Sequence, residues 1–520
     1  MPIPPEASPL AGPPAPPAPP PPPPGPPAPP AGPGPAAERS SLWRWIGVAL
    51  GPGAALAIAL LPSGLHDIPG YGHRPAYAAA VTAWMAIWWL LEVVPIALTA
   101  CLPVLLYPLL GVFGKGPVRD TVSAVEPFAD AYIFLFLGGM AIGAAMEQWG
   151  LHRRVALHIM RAIGTDPKRL LLGMLVATAS ISLWISNTAT AVMMVPIGVA
   201  LLAQLEAPLG GRRLSHFGTA IMLAVAYASN VGGIGTKIGT GVNSIFCGFV
   251  ADKMHRDLGF LEYIALAFPF VVIFIPLVWV VLWRIGRRDD LGAGQAREML
   301  DRELEAMGAM SGGERKVAVV FVGAATLWIA GDPLRRVIAP YVPAPWEGFK
   351  LLGKHYEAAV AMLARLALLA LGALSLKAIR RMPWGTLVLL GGSFAMASGI
   401  EGSGLGGWMA QRLAVVSSLP LIGQLGLATF GTVALSAVAS NTATVNIALN
   451  VLPRDLGVLF ATCMAASCDF MLPAGTPPNA IVFGSGYVRL PAMIKAGFFL
   501  DLCAVAVITA YVYGYARHLL

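Results

Sequence analysis

Charge is what this chain has least of. Lys, Arg, Asp and Glu together make up 12% of its 520 residues, against 57% apolar ones, and the mean hydropathy is +0.70. Soluble proteins carry about 25% charged residues, so this composition excludes an ordinary soluble domain and points to a polytopic, all-α membrane protein with the lipid bilayer as its solvent. Cysteine is scarce too. Its five copies (Cys101, Cys247, Cys463, Cys468 and Cys503) sit in apolar runs without metal-ligand spacing, which excludes a disulfide framework and a cysteine metal centre. The apolar spans also lack an HExxH helix, a Ser with His, or paired Asp residues, so a membrane-embedded enzyme has no reacting groups here. The formal charge of +8 lies mostly in short loops, where topology alone requires it, and nucleic-acid binding gets no support.

Residues 1–38 are almost entirely Pro, Ala and Gly, too poor in large apolar groups to pack, and read as a disordered tail rather than a cleavable signal peptide. After it, apolar stretches of roughly 20 residues, the length that crosses a ~30 Å hydrocarbon core, begin near residue 43. They fall at about 43–62, 75–95, 96–113, 130–150, 217–250, 260–284, 317–331, 355–375, 386–400, 455–485 and 490–515. The basic clusters at Arg153/Arg154/Arg161/Lys168/Arg169, Arg212/Arg213, Arg284/Arg287/Arg288 and Lys377/Arg380/Arg381 can all be cytoplasmic if the amino terminus is inside and the carboxyl terminus outside. That solution needs 170–200 and 423–450 to enter and leave on one side. Eleven crossings plus two re-entrant hairpins result. The charged run 284–310 reads as an amphipathic cytoplasmic connector.

What the hairpins contain is unusual for a membrane interior. "ISNTATAVMMVP" (185–196) and "ASNTATVNIALN" (439–450) repeat the same Ser-Asn-Thr-Ala-Thr, with Ser186 and Ser440 lying 254 residues apart. The Gly-Gly pairs of "LFLGGMAIGAAMEQWGL" (135–151) and "LVLLGGSFAMASGIEGSGL" (387–405) begin 253 residues apart. A near-constant offset signals duplication, and the topology makes the copies run in opposite senses, as in the inverted repeats of many secondary transporters. Each hairpin precedes a polar, Gly-rich interruption, "SNVGGIGTKIGTGVN" (229–243) and "LPAGTPPN" (472–479), where the helix should break and free its carbonyls and amides.

If tips and breaks meet near the midplane, the neutral hydroxyls and amides, the helix amino termini and the freed carbonyls can serve an anion and a hard cation together. One SNTAT alone would read as polar bridging between packed helices. Two copies, each paired with a break, favour a site. Glu92, in "WWLLEVVPIALTACLP", reads either as a proton carrier or as a structural acid held by neighbouring donors. Asp469 and Glu147 fall near predicted span ends, where hydration accounts for them, and His152 and His158 adjoin a basic loop and need no metal.

These hairpins, together with "WWLLEVVPIALTACLP" (88–103), "FLGGMAIGAAMEQWGLHRRVAL" (136–157) and "FMLPAGTPPNAIVFGSG" (470–486), resemble the divalent anion/sodium symporter family of dicarboxylate, citrate and sulfate transporters. The resemblance runs from about residue 43 to the end. It implies a homodimer in which a scaffold holds the interface while a transport region moves as an elevator. The chain then divides into the tail (1–38), first scaffold helices (39–129), a first repeat with hairpin and broken helix (130–260), scaffold helices with the connector (261–385) and a second repeat (386–520). It further implies that Ser186, Asn187, Thr188, Ser440, Asn441 and Thr442 bind substrate carboxylates, with Thr240, Thr476 and Pro477 beside them. One sodium ion would use Ser182, Ser186, Asn187 and backbone near Gly233 and Gly239. The other would use Ser436, Ala439, Asn441 and backbone near Gly475.

Two positions depart from the family pattern. Lys237 intrudes among the glycines of the first break, where its ammonium either stands in for a sodium ion or snorkels to water. Ser436 stands where several relatives use Thr. The activity implied is sodium-coupled transport of a small dianion, a C4 dicarboxylate such as succinate, malate or fumarate, in a bacterial inner membrane. Sodium-independent dicarboxylate exchange and sulfate transport are the alternatives.

Overall fold

The computed structural model describes residues 41–209, 211–289, 295–342, 351–412 and 414–520. The Pro-rich tail therefore lies outside the described residues, as does part of the charged connector. Among the described residues the chain is helical throughout, with one isolated bridge between Ile68 and Gly72.

The amino-terminal spans are α1 (Ser41–Leu60) and α2 (Arg74–Leu91), followed by the short helices Ile96–Thr99 and Leu102–Leu110. The region of the first sequence copy carries α3 (Ala131–Trp149), α4 (Leu151–Ile163), a hairpin of α5 (Pro167–Ser182) and α6 (Asn187–Glu206), and a broken pair α7 (Ser215–Ile234) and α8 (Gly241–Lys253); α9 (Phe260–Gly286) follows it. A connecting helix, Gln295–Met307, leads to α10 (Gly312–Ile329) and α11 (Gly353–Ala370). The second repeat follows the same order: α12 (Trp384–Gly402), a hairpin of α13 (Leu421–Ser436) and α14 (Asn441–Val451), a broken pair α15 (Leu456–Ala466) and α16 (Pro477–Gly484), and α17 (Leu490–Gly514).

The breaks sit where glycine and proline predict them. Gly-Ile-Gly-Thr-Lys closes α7 and "LPAGT" separates α15 from α16. α5 and α13 each have 16 residues, a rise of about 24 Å, which is short of the hydrocarbon thickness and suits a hairpin arm. α6 differs: Asn187–Leu209 is by itself long and apolar enough to cross. Among the described residues five helices meet that length and apolarity, or six if α10 and the helix after it, bent by 76°, count as one. Of the other predicted crossings, α2, α11 and α12 run unbroken for 18, 18 and 19 residues but are not apolar enough to qualify, while the second break leaves α15 and α16 as two short pieces.

The broken helices occupy the centre. Every residue from Phe217 to Ile234 in α7 and from Gly457 to Ala466 in α15 is buried. Such all-round burial explains why their sequences show no polar face. The repeats also interlock: α16 packs against α6 and α7, and α8 packs against α14. One apolar core holds both hairpins and both broken helices, and a smaller one gathers residues of α2 and α12, among them Trp89 and Met396, with Tyr107 of the Leu102–Leu110 helix. The connecting helix lies against α4, where Arg153 meets Glu303 and Arg161 meets Asp301.

Candidate functional site

Each hairpin tip is built by a serine that starts a helix. Ser186 (φ −54°, ψ 145°) accepts from the Ala189 amide at 3.4 Å, and Ser440 (φ −64°, ψ 141°) accepts from the Ala443 amide at 3.3 Å. A serine N-cap fixes where the helix begins, and so places Asn187 and Asn441 in the first turn. The breaks repeat the device with threonine. Thr240 and Thr476 precede α8 and α16 in extended backbone, and Thr476 Oγ1 accepts from the Asn479 amide at 3.3 Å.

The two asparagines are held in matching ways. Ser182 Oγ donates to Asn187 Oδ1 (3.1 Å) or to the Ser229 carbonyl (2.6 Å). In the second copy Ser436 Oγ lies 2.8 Å from Asn441 Oδ1 and 2.9 Å from the Ala466 carbonyl. Each set gathers a hydroxyl, an amide oxygen and a main-chain carbonyl in one place, the donor set of a hard cation. The first break closes on its asparagine so tightly that a Cβ at Gly233 would lie 2.0 Å from Asn187 Oδ1. One at Gly239 would lie 2.4 Å from the Gly233 carbonyl and 2.9 Å from the Ser182 carbonyl. Ala439 is buried beside the second tip.

Tips and breaks open onto a single cavity of about 840 Å³. Both Ser-Asn-Thr triplets line it, with Thr240, Gly475, Thr476 and Pro477. Four helices, α6, α8, α14 and α16, begin at its wall, and none has an acidic residue in its first turn. The dipoles of all four, with the unpaired first-turn amides of α6, α8 and α14 (α16 opens on Pro477-Pro478 and has none), leave partial positive charge facing the cavity, which suits an anion. Glu147, Lys377 and Arg381 line the same cavity, and the latter two belong to a basic cluster expected to be cytoplasmic.

Several placements differ from expectation. Lys237 neither lines the cavity nor reaches water: it is fully buried, and its ammonium lies 2.8 Å from both carboxylate oxygens of Glu357 on α11, beside the Leu258 carbonyl. Its charge is thus compensated, which leaves none free to replace a sodium ion. Asp469 is a correction. It is fully buried, because α15 ends inside the molecule at the second break and not at a hydrated span end. Glu147 is exposed as expected. Glu92 is exposed at the end of α2, in left-handed backbone (φ 48°), and does not line the cavity.

The residues that shape the breaks were missed. Asn243 Nδ2 donates to the carbonyls of Gly233 (2.8 Å), Ile234 (3.3 Å) and Thr236 (2.6 Å). Asn479 Nδ2 donates to those of Asp469 (3.1 Å) and Leu472 (3.0 Å). These amides recover part of the bonding that each break gives up. The signal was present, since "GTGVN" and "GTPPN" both end in Asn three residues after Thr.

Residues 53–520 match the model of the sodium:sulfate symporter transmembrane region. The chain belongs to the divalent anion/sodium symporter family. The sodium-dependent dicarboxylate transporter SdcS of Staphylococcus saprophyticus is 33% identical over 497 residues, covering 90% of each chain. SdcS of Staphylococcus aureus (strain MW2) is 33% identical over 492 residues, again covering 90% of each. Among solved structures, the Alcanivorax borkumensis YdaH transporter superposes with a TM-score of 0.55 at 16% identity, over 81% of this chain and 98% of that one. Neisseria gonorrhoeae MtrF superposes with a TM-score of 0.51 at 12% identity, over 91% and 95%. At such identities the likeness concerns the fold. Membership makes this symporter-family chain an integral membrane transporter and not an enzyme.

Proposed function

We propose that this protein carries small dicarboxylates across the membrane, with C4 diacids such as succinate, malate and fumarate as substrates and sodium as the coupling ion. The observation that supports this most directly is the convergence on one cavity of four helix amino termini and two matching Ser-Asn oxygen sets. A dianion in the cavity meets the positive helix ends and the Ser, Asn and Thr donors. Two sodium ions, one at Ser182, Ser186, Asn187, Gly233 and Gly239 and one at Ser436, Ala439, Asn441 and Gly475, neutralise it from behind. On this reading each asparagine serves anion and cation together, its oxygen beside the Ser182 or Ser436 hydroxyl on the cation side and its amide nitrogen left for the anion. That sharing is how binding of one can assist the other.

The names of the SdcS relatives support dicarboxylate and sodium over sulfate. The compensated charge of Lys237 removes the reason for favouring sodium-independent exchange. The family resemblance supports a homodimer and an elevator motion of the hairpin-bearing region, and the placement of apolar spans and basic loops supports eleven crossings, two re-entrant hairpins and an inside amino terminus. With Lys377 and Arg381 at its wall, the cavity then faces the cytoplasm. Uptake of radiolabelled succinate into proteoliposomes, with and without an inward sodium gradient and in competition with a panel of dianions, tests the reading. Succinate uptake indifferent to sodium would overturn the coupling, and competition by sulfate but not by malate or fumarate would overturn the substrate class.

A further inference from the structure

The two breaks carry opposite charges, and only one of them is compensated. In the first, Lys237 has Glu357. In the second, Asp469 is fully buried, and neither carboxylate oxygen has a hydrogen-bond partner among the described residues. The Met471 amide lies in its direction but makes no bond of normal geometry. The other charged group near it is also an acid: Asp501 of α17, almost fully buried, accepts from the Phe470 amide at 3.0 Å. No Lys, Arg or His faces either carboxylate among the described residues. Buried carboxylates without a countercharge are among the costliest arrangements a membrane protein can hold.

More orphaned oxygens surround the same turn. Asn479 Nδ2 donates to the Asp469 carbonyl at 3.1 Å, and Asn230 Nδ2 lies 3.4 Å from that carbonyl and 3.1 Å from Thr476 Oγ1. Yet Asn230 Oδ1, Asn479 Oδ1 and Ser467 Oγ, all buried, have no partner. Gly475 shows where the carboxylate is aimed. A Cβ there would lie 1.8 Å from Asp469 Oδ2 and 2.7 Å from Oδ1, so the acid fills the space that any other residue at 475 would need. A proton on Asp469 would satisfy one of these oxygens. A hard monovalent cation accepts several at once, carboxylate and neutral together.

We propose that Asp469, with the amide oxygens of Asn230 and Asn479, binds a sodium ion at the second break, additional to the ions at the two Ser-Asn sets. The site belongs to the second repeat alone, since Gly233 occupies the corresponding place in the first, three residues before Thr236 and seven before Thr240. It rests on the sodium-coupled reading above and deepens it: a dianion moved with this extra cation carries net positive charge inward. Asp501 is a positioning and electrostatic neighbour that raises the affinity of the site without contacting the ion.

The test uses the full-length protein in proteoliposomes, with the sodium-to-succinate ratio taken from the reversal potential of radiolabelled succinate flux. Equilibrium binding of 22Na+ to detergent-purified protein without succinate gives a second, transport-independent readout. Asp469→Asn should move one sodium ion fewer per succinate than wild type and bind one fewer at saturation. Asp501→Asn keeps the acceptor for the Phe470 amide. It should leave both counts unchanged while raising the half-saturating sodium concentration several-fold, which keeps the proposal testable if the first variant fails to fold. An unchanged sodium count in Asp469→Asn, or an unchanged sodium affinity in Asp501→Asn, would overturn the site. So would loss of a co-transported proton with the sodium count intact, which would make Asp469 a proton carrier. A wild-type protein that ignores sodium altogether would instead overturn the coupling on which the site rests.

Discussion

Replacing Glu357 with Gln should destabilise the protein more than any single change on its surface. The carboxylate receives the Lys237 ammonium at 2.8 Å on both oxygens, with side-chain exposures of 0% for Lys237 and 3% for Glu357. Two unit charges at that separation attract by roughly 6 kcal/mol at an effective dielectric constant of 20. Most of this offsets the desolvation of the two groups, so the pair itself adds little net stability. Glu357→Gln keeps the shape but leaves the ammonium buried with only neutral acceptors, a loss of about 3–5 kcal/mol. The double change Lys237→Met with Glu357→Leu removes both charges and should return stability to within about 1 kcal/mol of wild type, or above it.

Thermal unfolding of the detergent-purified proteins, followed by tryptophan fluorescence, ranks the three. The order expected is Glu357→Gln lowest, with the double variant beside wild type. The double variant also decides what Lys237 does for transport. If its charge serves only Glu357, succinate affinity and sodium dependence stay as in wild type. A Glu357→Gln protein as stable as wild type would refute the buried-charge reasoning. A double variant that is stable but binds succinate weakly would return Lys237 to the site.

Asn187→Ala and Asn441→Ala should each weaken succinate transport by tenfold or more with folding intact, because each removes a hydrogen bond to a charged group worth about 1.5–3 kcal/mol; tracer uptake and size-exclusion chromatography check both parts. Gly233→Ala should raise the half-saturating sodium concentration more than the half-saturating succinate concentration, since the new methyl group displaces Asn187 Oδ1; the sodium dependence of uptake measures it. The Arg154 guanidinium holds the Glu314 carboxyl below its ordinary value, with a further donor in the Ser311 amide. A depressed carboxylate stabilises the fold above the unfolded glutamate pKa of about 4.3 and loses that contribution as pH falls through the lower folded value, so unfolding midpoints of Glu314→Gln should depend less on pH below about 5 than those of wild type.

The parts of this molecule that were legible in the sequence are those written locally. Ser186 and Ser440 cap helices because serine before an apolar run does so wherever it stands, and the glycines and prolines of the breaks act on their own backbone. The duplication was legible because it is an offset, which needs no structure. Lys237 could be noticed but not interpreted, since its partner Glu357 lies 120 residues away in an apolar span with nothing to mark it. Asp469 was misjudged for a related reason. Hydropathy reports where an apolar run ends, and α15 ends inside the protein, so the run's end was mistaken for the membrane's edge. The crossings were hardest to count from helices alone, since the second break leaves α15 and α16 each shorter than the bilayer, while α2, α11 and α12 are long enough but too polar to stand out.

One asymmetry in the cavity bears on turnover. Arginine is the usual answer to a dicarboxylate, through bidentate charge-assisted bonds, yet no Arg or Lys stands at either tip or either break facing the cavity. An anion at the tips would meet only hydroxyls, amides and helix ends, while Lys377 and Arg381 stand on the part of the wall that belongs to the basic cluster. A fixed guanidinium at the tips would bind a dianion whether or not cations were present, and would hold it as firmly after transport as before. Neutral donors make binding depend on ions that arrive and leave with the substrate. On the proposed function, cation occupancy would then set the affinity: with sodium at the Ser-Asn sets the cavity would attract two carboxylates, and once sodium departed to a dilute compartment the remaining partial charges would no longer retain them. Placing Arg at Thr188 or Thr442 should therefore raise succinate affinity in the absence of sodium and slow turnover, and counterflow measured at low and high sodium would show affinity and coupling moving in opposite directions. Turnover as fast as wild type with sodium dependence intact would show that the neutral lining is not what makes release depend on the ion.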